Sequence, residues 1–555
     1  MYLKKRLTVL VFFYSTLLVA QDQLLINLKQ HISTLASDSF EGRETGMPGE
    51  QLAYEYISKQ FEAIGLQPKG SEGYMQPFTF TRSTKAGKNN HLKINGNDFE
   101  MDKQFYPLAY SANTSMNGEI VRLGYGITAP ALGYDDFKDR YDLQFRIAII
   151  EIGTPDGGGP HSRYADYADL RTRVDSAEAR GAVGVIFINS NTDLDDPSQD
   201  FKNKITPSSI PVVFARKEAR QALIDGARWR AMITTELIKE EATGHNVIGF
   251  IDNHSASTVV IGAHYDHLGY GGDESLYRGA PAIHNGADDN ASGTAALIEI
   301  ARNLKASDDK SNNYLFIAFS GEEKGLLGSN YFVKNPTMPL EKINYMINMD
   351  MLGRLKTNDP VLIINGAGTS PAWKITFNYI KIDSLRIKTS DSGIGPSDHT
   401  SFYLNTIPAL HFFSGTHSDY HKPSDDENLI NYPGEERIIS FIMQLIHRLD
   451  DKGKLEFTKT KNDSDNSDAP RFKVTLGVVP DYAFEGSGMR IDGVSEGKPA
   501  SKAGLKTGDV VIQLGDYKVT DMTSYMKALS MFKKTDTTVV KVKREEKEVK
   551  FDVTF

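Results

Sequence analysis

The chain has 555 residues and a formal net charge of −9 at pH 7, length enough for about three domains, each with its own core. That charge is mild and no Lys/Arg run forms a basic stripe, so nothing points to nucleic acid as a partner. The absence of cysteine excludes disulfides, thiol catalysis and zinc–thiolate sites, so any zinc must be held by imidazole and carboxylate.

The N-terminus pairs a basic stretch, Lys4, Lys5 and Arg6, with an apolar run from Leu7 to Ala20. That run is about 14 residues, shorter than the ~20 that span a bilayer. Residues 1–20 therefore read as a secretory signal, with the mature chain beginning near Gln21. The protein is expected to be exported, periplasmic or secreted, with no stable membrane span once the signal is removed.

Leu24–Leu35 and Glu50–Ile64 carry apolar residues at helical spacing, and Gly65 closes the second helix as a C′ glycine. Ser39–Gly46 between them is a loop. Tyr74–Phe80 and Leu92–Ile94 look like strands that start the main domain, which takes 21–116 and resumes over 236–449. The texture of 117–235 differs: strand-like Glu119–Leu123, Ile147–Ile152, Gly181–Ile188 and Ile210–Phe214, with helical spacing over Ala165–Arg180. It holds no convergent histidines or paired acids, and reads as a compact β-rich insertion. Residues 450–471 are charged and Ser/Asp/Asn-rich and read as a flexible linker. A small domain fills 472–555, with strands at Gly488–Ile491 and Asp509–Leu514 and a helix and turn over Lys498–Gly508.

The chemistry concentrates between Val259 and Asp350. Three apolar runs end in metal-type ligands: Val259–Ala263 in His264-Tyr265-Asp266, Tyr314–Phe319 in Ser320-Gly321-Glu322-Glu323, and Met346–Met349 in Asp350. This is the layout of a parallel α/β sheet, whose ligands gather outside the carboxyl ends of the strands. Two divalent cations ~3.5–4 Å apart need an anion between them. Asp289, in a glycine-flanked turn opening the Ser292–Leu304 helix, is placed to bridge. His264 and Asp350 can complete one metal, and Glu323 with a later histidine the other. The later candidates are His399, His411, His417 and His421. His421 is favoured because it lies in a polar loop beyond the Ile407–Phe413 strand. His411, inside that strand, fits a packed core position, and His399 fits the pocket lining. His267 and His284 fit the rim.

The stretches His264-Tyr265-Asp266, Asp288-Asp289-Asn290-Ala291-Ser292-Gly293, Phe319-Ser320-Gly321-Glu322-Glu323, Asn348-Met349-Asp350 and Tyr420-His421 resemble, in order, the five ligand motifs of the co-catalytic di-zinc aminopeptidases. That family is related to glutamate carboxypeptidase and the transferrin receptor. The resemblance implies an α/β fold, its central sheet mixed but mostly parallel, with helices on both faces. It implies two Zn2+ per chain: His264 and Asp350 on one, Glu323 and His421 on the other, and Asp289 between. Glu322 then matches the general base, acting on a metal-bridging hydroxide, Tyr420 a hydrogen-bond donor to the developing oxyanion, and Asp266 the carboxylate that orients the His264 ring. The expected function is that of an exported metallo-exopeptidase cleaving N-terminal peptide bonds. The alternatives are a carboxypeptidase or dipeptidase on the same scaffold, or a peptide-binding protein without activity.

The 117–235 insertion resembles a protease-associated domain, through Ile147–Ile150, the Ala177–Ile188 helix-turn-strand and Ile210-Pro211-Val212. Residues 472–555 resemble a PDZ domain, a small β-sandwich or barrel, through Glu496–Asp509 and the apolar strand that follows. Thr475-Leu476-Gly477-Val478 would be its carboxylate-binding loop, so the expected partners are peptide substrates and a peptide C-terminus at the PDZ domain.

Overall fold

The computed structural model describes residues 23–460 and 474–555, apart from 139–142, 158–161, 165–166, 200–206, 225–229, 273, 481–485, 495–497, 521–523, 526–527, 530, 533–535 and 546. The expected signal, 1–20, lies outside the described residues, as does 461–471 of the expected linker. Two compact units are present: Met1–Thr79 with Thr243–Phe555, and Phe80–Ala242.

The first unit is built on a nine-stranded sheet. Its four central strands, Asn313–Phe319, Thr258–His264, Ile343–Met349 and Ala409–Phe413 in spatial order, run parallel. Antiparallel strands flank them, Leu237–Ile251 on one side and Val361–Asn365 on the other. Every residue of Thr258–His264, Asn313–Phe319 and Ile343–Met349 is buried. Successive side chains enter opposite cores, which is why these strands read as continuous apolar runs. Val259 and Ile261 join the helices 23–35, Pro48–Ile64, Gly293–Ala306 and Tyr432–Leu449. Val260, Leu315 and Met346 join Leu327–Lys334 and His399–Tyr403 on the other face. The chain leaves Thr258–His264, builds its neighbour on one side, then returns to build Ile343–Met349 on the other. The reversal opens a crevice at the carboxyl ends of these strands, where such sheets bind ligands.

Gly65 ends the Pro48–Ile64 helix at φ 80° as expected. The second unit is larger than the expected 117–235. His91–Ile94, read from sequence as a start of the main domain, pairs with Arg230–Thr235 in a separate eight-stranded sheet. The boundary falls inside two long paired strands, Met75–Ala86 and Leu237–Ile251, where no turn residue marks it. Four parallel strands, Thr114–Arg122, Arg146–Glu151, Gly184–Ile188 and Val212–Ala215, form the core of that sheet, with a helix over Leu170–Glu178.

Residues 450–460 are not the flexible linker expected from their charge. Leu455 is buried in the main core and its N–H donates to Asn344 Oδ1 at 2.7 Å. Phe457 packs on Tyr403, whose hydroxyl bonds Thr460. The two large apolar residues of that segment are its anchors. In the C-terminal domain Met489–Val494, Pro499–Ala503 and Val510–Leu514 occupy the expected positions. Leu476 of the expected carboxylate loop is wholly buried, and its carbonyl accepts the Ala500 N–H at 2.8 Å. Among the described residues no helix is long and apolar enough to cross a membrane.

Candidate metal centre

All five expected ligands meet at the carboxyl ends of the parallel strands. His264 Nε2 lies 3.3 Å from Asp350 Oδ1 and 3.4 Å from Asp289 Oδ1. His421 Nε2 lies 3.2 Å from Asp289 Oδ2 and 3.2 Å from Glu323 Oε2. The two oxygens of Asp289 thus face two different imidazoles. Ligands ~2.0–2.1 Å from one tetrahedral ion sit about 3.3 Å apart along each edge. The observed separations match that edge, so the donor set fits two metal positions sharing Asp289. Burial also leaves His421 Nε2 without a hydrogen-bond partner.

The turn that presents Asp289 is held from several sides. Asp289 and Asn290 depart from helical geometry within Ala287–Ser292, and the peptide between them is cis. The Asn290 amide donates to the carbonyls of His264 and Met349 at 3.1 and 3.0 Å and accepts the N–H groups of Gly293 and Met351, each at 3.0 Å. One side chain thereby ties three ligand-bearing segments together. Asp425 Oδ2 accepts the backbone N–H groups of Asp288 and Asp289 at 3.0 and 3.1 Å, linking this turn to the loop that carries His421.

Each histidine is oriented by a carbonyl. His421 Nδ1 donates to Glu274 O at 2.9 Å, which leaves Nε2 free as a ligand. His264 Nδ1 is 3.3 Å from Asp266 O but 3.7 Å from the Asp266 carboxylate. The carbonyl is the nearer of the two, and the carboxylate expected to orient the ring stands beside it on the same nitrogen. The Asp266 side chain also accepts from Thr45 Oγ1 at 2.9 Å and from the Glu322 N–H at 3.2 Å, fixing the segment that bears both glutamates.

Acid crowds the centre. Burial pushes the Glu322 carboxyl well above its ordinary range, with Asp350 and Glu323 adding to the rise. Burial also pushes Glu323 up, but His421 and His267 outweigh it and hold it well below. His264 and His421 are raised against burial by the carboxylates around them. Such a cluster calls for cations. Tyr420 stacks on His421 with ring centroids 3.9 Å apart and packs near Met351, Ile363 and Phe413. Burial, then Asp289 and Glu323, raise its hydroxyl well above the usual phenol range, so it remains a donor.

His411 and His399 lie outside both ligand sets, their rings stacked 4.8 Å apart, with His411 Nε2 3.8 Å from Asp350 Oδ2. His417 pairs with Asp288 at 3.2 Å rather than with a ligand. His284 bonds Ser275 Oγ at 2.7 Å. His267, placed at the rim from sequence, is instead buried, with Nδ1 2.7 Å from Glu323 Oε1. Its ring nitrogen forms a second possible ligand group with Asp289 and Glu323.

Sequence reasoning also missed the support beneath the site. Arg43, the last residue of a kinked 3-10 segment, Asp38–Arg43, in the stretch expected to be a loop, is wholly buried. It donates to the carbonyls of Leu35, Tyr265, Asn285 and Gly286 at 2.6–2.9 Å. Burial lowers its pKa to about 10, so it stays charged beneath Asp289 and Asp266. Glu50 accepts from Gly46 N, His245 N and Ser320 Oγ at 2.7, 2.9 and 2.6 Å. Glu41-Gly42-Arg43, all at positive φ, is the local signal of a constrained loop. Arg43→Met is expected to strand those carbonyls at ~1–3 kcal/mol each. Denaturant unfolding should show a loss of several kcal/mol, and a loss below about 1 kcal/mol would contradict this support role.

Residues 246–446 match the model of peptidase family M28. The chain carries an M28 peptidase domain. Residues 105–223 match the PA domain and 456–555 the PDZ domain. Among curated proteins, the chain is 27% identical over 414 residues to aminopeptidase YwaD of Bacillus subtilis, covering 70% of this chain and 81% of that one. It is 25% identical over 336 residues to an aminopeptidase of Pseudomonas aeruginosa, covering 58% of this chain and 56% of that one. Among solved structures, an aminopeptidase from Aneurinibacillus sp. strain AM-1 aligns over 78% of this chain and 95% of its own, at 24% identity and a TM-score of 0.44. BSAP, a zinc aminopeptidase from Bacillus subtilis, aligns over 79% and 96%, at 23% identity and a TM-score of 0.43. The matched residues contain all five expected ligands and the four parallel strands beside them.

Proposed function

We propose that this protein is an exported aminopeptidase that holds two zinc ions and removes N-terminal residues from peptides. The observation that carries the reading is the split of Asp289, with one oxygen toward His264 and the other toward His421. His264, Asp289 and Asp350 would hold one ion, and Asp289, Glu323 and His421 the other. Bound there, the ions would supply Lewis acidity to the scissile carbonyl and acidify a water molecule.

The side chains do the rest. Glu322, fixed at its backbone by Asp266 but not a ligand, takes the proton of the attacking water and returns it to the leaving amine. Tyr420, kept protonated by burial and the nearby acids, donates to the oxygen that gains charge. Met351, Ile363 and Phe413 form a small buried cluster that backs Tyr420 beside the centre. The basic and apolar pattern of 4–20 supports export, and the PDZ domain supports capture of a peptide C-terminus.

Aminoacyl-anilides set against N-blocked dipeptides with a free C-terminus test the reading. Cleavage of the anilides alone is expected. Cleavage of the blocked dipeptides alone would make the protein a carboxypeptidase, and cleavage of neither would leave it a binding protein.

A further inference from the structure

Glu323 turns its two oxygens to different partners. Oε2 lies 3.2 Å from His421 Nε2, on a ligand edge, while Oε1 lies 2.7 Å from His267 Nδ1, at hydrogen-bond distance. His267 Nδ1 is 3.9 Å from Asp289 Oδ2, so it lacks the paired short edges that His421 makes to both carboxylates. A carboxylate that ligates a metal is deprotonated and can only accept, so the Nδ1 of His267 carries the proton between them.

The ring is held in a cradle that only glycine allows. A Cβ on Gly286, at φ 55°, would come within 2.5 Å of His267 Cδ2 and 2.7 Å of Cγ. The backbone of His267 is fixed by its N–H to Arg43 O at 3.3 Å. The imidazole therefore lies beside the turn that bears Asp289, pointing one nitrogen at Glu323.

We propose that His267 is a positioning residue of the second metal position, holding Glu323 Oε1 so that Glu323 offers Oε2 alone to the ion shared by His421 and Asp289. This rests on the metal reading above. Without that hydrogen bond Glu323 is free to rotate or to chelate through both oxygens, and the position loses its preset geometry. Partners of this outer kind are worth ~10–100-fold in metal affinity.

The test is a competition titration of metal-free protein with zinc against a coloured chelator, alongside the absorption spectrum of the cobalt-loaded form. Wild type should bind two ions; failure to do so would sink the metal reading itself and not this assignment. His267→Ala should weaken one position by about 10–100-fold, leave the other unchanged and alter the cobalt spectrum. His267→Asn, whose amide nitrogen falls where Nδ1 was, should restore affinity to within a few-fold of wild type. Unchanged affinities in His267→Ala would overturn the proposal. So would an equal loss in His267→Asn, because that result makes the imidazole itself a ligand. Should His267→Ala fail to fold, His267→Gln replaces it: its amide falls where Nε2 was, and it should bind one ion more weakly than His267→Asn. Equal binding by the two amides would count against the proposal.

Discussion

Glu322→Gln should keep both metal ions and lose ~10²–10⁴ of kcat, the range a general base contributes. The substitution preserves the size of the side chain and leaves intact the backbone N–H that Asp266 accepts at 3.2 Å. It removes no ligand, because the metal-facing carboxylate is the neighbouring Glu323, whose Oε2 lies 3.2 Å from His421. What it removes is the one acid at the strand end that is free to take a proton. Burial, with the charges of Asp350 and Glu323, raises its affinity for a proton, which suits a base that takes one from water and passes it on. Metal analysis beside steady-state kinetics checks both halves of the expectation. A variant with two ions and near-normal kcat would remove Glu322 from the mechanism.

Asp289→Asn should weaken both metal positions together, by more than the ~10–100-fold typical of an outer-shell partner. Among the described residues only this one faces both imidazoles, at 3.4 Å from His264 and 3.2 Å from His421. An amide offers one oxygen and no negative charge, so the repulsion between two dications goes uncompensated. Asp350→Asn, by contrast, touches only the His264 side and should weaken one position. Equilibrium dialysis of the two variants separates these outcomes, and full occupancy in Asp289→Asn would end the bridging assignment.

Much of this centre is legible in sequence because His264, Glu323 and Asp350 end or follow wholly buried strands. The alternation of side chains into two cores makes those strands uniformly apolar, and the polar residue at each end stands out against them. His421 was accessible to the same logic, as a histidine in a polar loop just beyond Ala409–Phe413. Arg43, Glu50 and Asp425 were not, because their value comes from carbonyls and N–H groups that are distant in the chain. A buried guanidinium reads in sequence as an ordinary surface charge. His267 was misjudged for a related reason: its neighbour Glu323 lies beyond an entire helix and strand, and only the fold brings them to 2.7 Å. The boundary of the second unit was hidden as well, since two continuous strands, Met75–Ala86 and Leu237–Ile251, run through it. The 450–460 segment misled in the opposite direction: its charge masks Leu455, which is buried in the main core.

The most direct measurement is elemental analysis of the purified full-length protein before and after chelation, with peptide hydrolysis followed in parallel. Two transition-metal ions per chain, hydrolysis lost on their removal and recovered when zinc is added back are the expected result. A chain that takes up no such ion, or that cleaves peptides undiminished in chelator, would contradict it.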